Sequence, residues 1–254
     1  MKKRMEVQNL QTCYVDEGQG EAMVLLHGWG QNLEMMDEIR KEFCQNYRVI
    51  SFDFPGFGES EAPKKAWSVQ DYENWVLELL NQLDVPKAIF IAHSFGGRVA
   101  IRLASDYPEK VEKLVLTGAA GIRPKVSWVS KARMYAYKLG KWYLTKSHQL
   151  AKLERYQNSR GSADYRAAKG VLRPTLVKVV NEDLSSLLNQ VTCETLLVWG
   201  ELDAAAPLWM GQQMEKEMKE ATLVVFEKQD HFAYWNEANR FNQVLWAFLG
   251  GKTV

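Results

Sequence analysis

The sequence predicts an α/β fold in which a mostly parallel central sheet is flanked by helices. Three observations predict it. Short apolar runs rich in Val, Ile, Leu and Phe recur along the 254 residues, each bounded by turn residues. Segments with helical spacing of apolar residues lie between those runs. One long stretch, residues 122–190, carries no buried-strand pattern and interrupts the alternation.

The apolar runs are residues 22–26, 49–52, 88–92, 114–116, 195–199 and 222–226. Near-continuous apolar character marks strands covered on both faces, as in a parallel sheet. The periodicity predicts a helix over 69–83, with Tyr72, Trp75, Val76, Leu79, Leu80 and Leu83 at helical spacing and Pro86 beyond its end. Further helices are expected over 96–107, stopped before Pro108, over 208–220 and over 238–249. Repeated strand-then-helix order puts helices on both faces of one sheet. Residues 6–16 read as an antiparallel hairpin at the sheet edge. The interrupting stretch is helix-forming, aromatic and basic. The expected organisation is therefore a core of residues 1–121 and 191–254, with a helical cap, or lid, over 122–190.

Composition bounds the function. Hydrophobic residues make up 46% and charged residues 25% of the chain, which is ordinary for a globular protein. A formal net charge of +1 gives no reason to expect nucleic acid as a partner. Cys13, Cys44 and Cys193 form neither an even set nor a CxxC pair, so neither a disulfide framework nor a zinc site is expected. The basic start Met1-Lys2-Lys3-Arg4 is followed by no apolar run of signal-peptide length, and no stretch of about 18 apolar residues occurs. The reading is cytoplasmic, with no membrane insertion. The four histidines lie far apart, HExxH is absent, and Gly28 and Gly30 lack GxGxxG spacing, so no metal or cofactor is expected.

The net charge conceals an asymmetry. Between residues 121 and 180, fourteen Lys and Arg stand against two acids, Glu154 and Asp164. The rest of the chain is acidic by a nearly equal margin. Trp128, Tyr135, Tyr137, Trp142, Tyr143, Tyr156 and Tyr165 are interleaved with the basic residues. The plain reading is a solvated lid whose aromatics pack on the core and whose bases pair with an acidic body. Two functional readings stand beside it: a positive field that steers anionic substrates, and docking at an anionic membrane surface.

Residues 89–97, Ile89-Phe90-Ile91-Ala92-His93-Ser94-Phe95-Gly96-Gly97, carry the strongest chemical signal. An apolar strand runs into a serine, and two glycines open a helix. A sharp strand-to-helix turn strains the serine backbone and projects the hydroxyl above the sheet edge. Small residues two before and two after the serine, here Ala92 and Gly96, let strand and helix approach closely. The usual G-x-S-x-G pattern has Ala92 in its first position here. A serine that merely caps a helix is the plainer reading of the pentapeptide alone.

Further motifs stand in order along the chain: His27-Gly28-Trp29-Gly30, then 53–60 (Asp53-Phe54-Pro55-Gly56-Phe57-Gly58-Glu59-Ser60), the serine turn, Trp199-Gly200-Glu201-Leu202-Asp203, and Asp230-His231-Phe232. With these the sequence resembles the α/β-hydrolase superfamily over nearly its whole length outside 122–190. That resemblance implies a nucleophile at Ser94 and an acid in the loop after strand 195–199, where the family position matches Asp203 rather than Glu201. The preceding strand end, Thr117-Gly118-Ala119-Ala120-Gly121-Ile122, holds no carboxylate.

Serine needs a base, and histidine suits that role near neutral pH. His27 belongs to the glycine loop, His93 should turn its side chain away from Ser94, and His148 lies in the insertion. His231, in the loop after the last strand, can reach over the strand ends. The backbone N–H of Phe95 and, by resemblance, that of Trp29 form the expected oxyanion hole. Asp53 reads as structural.

Serine at the turn disfavours the haloalkane dehalogenases and epoxide hydrolases of this fold, which use aspartate there. The expected activity is hydrolysis of a small or medium carboxylic ester through an acyl-enzyme. The alternatives are carbon–carbon bond hydrolysis of ring-cleavage products and a ligand receptor that retains the hydrolase fold.

Overall fold

In the computed structural model, residues 1–123, 128–147, 152 and 162–250 are described. The strands are β1 (Lys3–Val7), β2 (Leu10–Glu17), β3 (Ala22–Leu26), β4 (Arg48–Phe52), β5 (Ala88–His93), β6 (Val111–Thr117), β7 (Glu194–Gly200) and β8 (Ala221–Phe226). They form one sheet in the order β1-β2-β4-β3-β5-β6-β7-β8. The hairpin β1-β2 is antiparallel, β2 joins β4 antiparallel, and all pairs from β4 to β8 are parallel. Each apolar run is a strand, and the edge hairpin is present.

Alternation along the strands splits the core in two. In β3, Val24 and Leu26 point to one layer while Met23 and Leu25 point to the other. The first layer lies under helices Val69–Gln82 and Phe95–Asp106, whose Tyr72, Trp75, Val99 and Leu103 are buried. The second packs Ile39 and Phe43 of helix Asp37–Phe43 with Phe241 and Leu245 of helix Ala238–Phe248. Ser68 starts Val69–Gln82 with a reciprocal cap: its hydroxyl accepts from Asp71 N–H at 3.3 Å, and Asp71 Oδ2 accepts from Ser68 N–H at 2.7 Å.

The structure differs from the sequence reading in detail. The short helix Asp37–Phe43 was not expected; seven residues show too little periodicity. β6 begins three residues earlier than its apolar run, because Glu112 and Lys113 are partly exposed at its start. The helix after Pro207 ends at Glu217, where Met218 turns to extended backbone (ψ 144°). Cys13 is buried, Cys44 and Cys193 are partly exposed, and all three are free.

The interrupting stretch contains helices Trp128–Lys146, Ala163–Ala167 and Leu172–Asn181, with a 3-10 turn at Ser185–Gln190. Lys125, His148, Glu154, Arg155, Tyr156 and Arg160 lie outside the described residues. Helix Leu172–Asn181 is tied to the core: Trp67 N–H donates to Thr175 Oγ1 at 3.2 Å, and Lys178 Nζ donates to the Ala66 carbonyl at 2.7 Å. Of the aromatics expected to pack on the core, Tyr135, Trp142 and Tyr143 are exposed, while Tyr137 and Tyr165 share a hydroxyl–hydroxyl bond of 2.9 Å. No described helix is long and apolar enough to cross a membrane.

Candidate active site

The site lies at the C-terminal ends of the parallel strands, where ligands bind in open α/β sheets. β5 ends at His93, and Ser94 follows with φ 50° and ψ −109°, outside the regions favoured by a residue with a side chain. Three backbone bonds hold it there. Ser94 N–H donates to the Thr117 carbonyl at 3.2 Å, and the Ser94 carbonyl accepts from Gly97 and Ala120 at 3.0 Å each. A Cβ on Gly96 would come within 2.5 Å of the Leu26 carbonyl, so only glycine lets the helix start this close to β3. Ala92 is fully buried between Leu26 and Leu116 in register, so its methyl fits where the usual pattern has glycine.

His231 and Asp203 meet at the end of the neighbouring strands. Nδ1–H of His231 donates to Asp203 Oδ2 at 2.8 Å. The Asp203 side chain is fully buried, and its Oδ1 accepts from Ala205 and Ala206 N–H at 2.8 Å each. Three donors thus hold the carboxylate, and its bond to Nδ1 leaves His231 Nε2 as the free basic nitrogen. Glu201, the other acid of that loop, instead accepts from Lys228 N–H at 2.9 Å on the surface.

Ser94 and His231 line one cavity of about 590 Å³, together with Trp29, Phe95, Ile122, Leu176 and Val179. No hydrogen bond joins Ser94 Oγ to the His231 ring among the described residues. Such bonds are often long in ligand-free enzymes and tighten on substrate binding. The amides of Trp29 and Phe95 carry no hydrogen bond among the described residues, whereas Gly28 N–H is taken by Gln31 Oε1 at 2.8 Å. The Trp29 ring meets Phe57 and Phe95 edge-on at 4.8 and 5.4 Å, which fixes the loop that carries its amide.

The other described histidines are internal. His27 Nδ1–H donates to the Gly28 carbonyl at 2.7 Å, and Nε2 accepts from Phe54 N–H at 3.0 Å. Burial pushes its pKa down to about 4, outweighing the Gly28 bond. His93 Nδ1–H donates to the Thr117 carbonyl at 3.0 Å, and its ring packs against those of His231 and Tyr234, centroids 4.7 and 4.6 Å away. Its Cδ2 lies 3.0 Å from where a Cβ on Gly28 would stand. Burial, aided by the neighbouring His231, holds its pKa well below the usual histidine range. Asp53 is structural in its contacts: Oδ1 accepts from Leu33 N–H and Oδ2 from Glu59 N–H, both at 2.7 Å.

Two residues escaped the sequence reading. Gly118 has φ +50°, and a Cβ there would stand 3.0 Å from Asp203 Oδ2 and 3.1 Å from His231 Nδ1. A lone glycine straight after a strand was its only signal. Arg98, four residues after Ser94, is buried and lines the same cavity. Among the described residues no group of three or more His, Cys, Asp or Glu is placed to hold a metal ion.

A mostly parallel sheet with this elbow defines an α/β hydrolase, and residues 21–169 match the α/β hydrolase fold family, to which the chain belongs. Residues 177–252 match a second family described as TAP-like protein. The chain is 28% identical over 263 residues to a 2-hydroxy-6-oxo-6-phenylhexa-2,4-dienoate hydrolase of Burkholderia cepacia, covering 92% of this chain and 89% of that one. It is 30% identical over 268 residues to a 2-hydroxy-6-oxononadienedioate/2-hydroxy-6-oxononatrienedioate hydrolase of Burkholderia vietnamiensis, covering 94% and 91%. Among solved structures, a meta-cleavage product hydrolase of Pseudomonas fluorescens superposes with TM-score 0.75 at 25% identity, covering 98% and 97%. An enol-lactonase of Burkholderia xenovorans shares the fold at TM-score 0.76 and 21% identity, covering 98% and 100%.

Proposed function

We propose that the chain is a serine hydrolase that cleaves a carboxylic ester through an acyl-enzyme, with Ser94 as nucleophile, His231 as base and Asp203 as orienting acid. The observation that carries this reading is the buried Asp203–His231 bond at a cavity lined by Ser94 on a strained elbow. Ser94 Oγ attacks the ester carbonyl as His231 Nε2 takes its proton. Asp203 holds the resulting imidazolium. The Trp29 and Phe95 amides receive the developing oxyanion, a contribution of about 3 kcal/mol per donor. The alcohol leaves with the proton from His231, and water repeats the sequence on the acyl-enzyme. In this reading residues 122–190 are a lid, and Ile122, Ser162, Leu176 and Val179 of it line the cavity.

A second reading is carbon–carbon bond hydrolysis of a ring-cleavage product, favoured by the names of the relatives 28% and 30% identical. The same three residues would act: the departing carbon takes the proton held by His231, as the ester oxygen does in the first reading, and water activated by His231 then hydrolyses the acyl-enzyme on Ser94.

Labelling by a fluorophosphonate probe tests the shared nucleophile. Ser94 is expected to be labelled, and Ser94→Ala to lose about 10⁴–10⁶ in kcat. A change below tenfold refutes the assignment. A panel of nitrophenyl esters beside a vinylogous ring-cleavage diketone then separates the two readings by which substrate turns over.

A further inference from the structure

We propose that Arg98 is a carboxylate-binding subsite of this cavity, so that the substrate carries an anionic group paired with its guanidinium. The proposal rests on the hydrolase reading of Ser94 and names the substrate class within it.

Arg98 lies in helix Phe95–Asp106, four residues beyond Ser94. Ser94 is the N-cap of that helix, and Arg98 lies in its first turn. Arg98 is 6% exposed and lines the cavity with Ser94 and His231. A guanidinium offers five N–H donors. Arg98 makes one hydrogen bond, from Nη1 to the Glu182 carbonyl at 2.7 Å, and no ion pair among the described residues.

The nearby acids are engaged elsewhere. The Glu182 carboxylate accepts from Arg102 at 3.1 Å and from Val69 N–H at 3.3 Å, and Asp183 Oδ1 accepts from Ser185 N–H and Oγ. Arg102, one turn further along the same helix, supplies an internal comparison. It is saturated by Glu73, Asp106 and Glu182 at 3.1, 3.3 and 3.1 Å. Of these two arginines on one helix, the more buried one, which lines the cavity, has no carboxylate partner among the described residues.

Taking a guanidinium out of water is costly unless a counter-charge and hydrogen bonds compensate. Burial pushes the Arg98 pKa down to about 10, only partly offset by Glu182 and Asp183, so it remains a cation at neutral pH. A substrate carboxylate answers that deficit with the two-pronged geometry guanidinium favours. Asp164 is the one carboxylate among the described residues lining the cavity; it is exposed to water and makes no bond to Arg98. The excess of Lys and Arg between residues 121 and 180 acts in the same direction, drawing anions toward the cavity.

The test compares mono-4-nitrophenyl glutarate with its neutral isostere 4-nitrophenyl 5-methylhexanoate. The wild type is expected to prefer the anionic ester at least tenfold in kcat/KM. Arg98→Met should lower that ratio at least tenfold, and Arg98→Lys should keep part of it. A folded Arg98→Met with an unchanged ratio overturns the proposal. Should that variant fail to fold, the wild type alone decides by calorimetry: glutarate binding at least tenfold tighter than neutral glutaramide supports the subsite, and equal binding overturns it. Tight glutarate binding without fluorophosphonate labelling sinks the hydrolase reading and keeps the subsite. Labelling without any carboxylate preference does the reverse.

Discussion

His231 Nδ1 stands 2.8 Å from Asp203 Oδ2, and that carboxylate is closed off from water on every side. The bond selects the tautomer that presents Nε2 to the cavity. Asp203→Asn preserves the shape but offers an amide N–H or a neutral oxygen instead. We expect kcat to fall by about 10³–10⁴ with KM little changed, because the effect falls on the proton-transferring state. Steady-state kinetics on a nitrophenyl ester checks this. A loss smaller than tenfold would remove Asp203 from the proposed triad.

In the proposed oxyanion hole Trp29 would contribute its backbone amide, so truncating its side chain leaves that donor in place. The indole does pack edge-on against Phe57 and Phe95 and lines the cavity. Trp29→Ala is therefore expected to raise KM about tenfold, with a smaller effect on kcat. A kcat drop of 10² or more with unchanged KM would mean that the ring itself acts in the chemical step.

Gly118 is pinned by a left-handed backbone and by the Asp203–His231 pair on the other side. Gly118→Ala pays strain of about 1–2 kcal/mol at φ +50° and pushes a methyl toward both partners. Thermal melts should show destabilisation of that order. Activity should fall further than the lost stability explains, about 10–100-fold when assayed well below the melt, since small displacements of the proposed base His231 weigh heavily on rate. Full activity in the variant would contradict the geometry.

Three buried groups set opposing trends of stability with pH. Burial lowers the pKa of His27 to about 4 and that of His93 well below its usual value. The unfolded chain binds their protons first, so these two stabilise the fold above pH ~6.5 and lose that contribution as pH falls. Glu73 does the opposite. Burial raises its pKa to about 7, against the pull of Arg102. The folded chain holds that proton where the unfolded chain has released it, so stability falls as pH rises from ~4.5 to ~7. Glu73→Gln removes the falling component. Denaturant titrations between pH 4.5 and 7 should then show a steeper gain of stability with pH than in the wild type. A shallower gain would reverse the sign assigned to Glu73.

The framework was legible because its signals are local. The runs at β3, β5 and β7 are buried from end to end, so their apolar character is unbroken in the sequence. Ser94 stood out because the strand, the serine and Gly96 are contiguous. His231 followed from its place after the last strand. Arg98 did not stand out, because its character depends on Glu182, 84 residues away, and on the absence of an acid that Arg102 possesses. The packing of the His93 ring against His231 and the Gly28 loop likewise joins segments that only the folded sheet brings together. The outward-facing aromatics of Trp128–Lys146 were missed for a related reason. Alternating rings and basic residues on Trp128–Lys146 give no sign of which face turns outward, and Trp142 and Tyr143 face water.

The strand order places the Gly28 loop, the elbow, the Asp203 turn and the His231 loop side by side, although they span residues 28 to 231 of the chain. No short segment of the polypeptide holds all of these loops. Sheets closed by such distant pairings form slowly, because the longest loops must close before their contacts stabilise anything. Turnover is thus a reporter of complete assembly. During refolding it should return with the last kinetic phase, after helical signal has recovered.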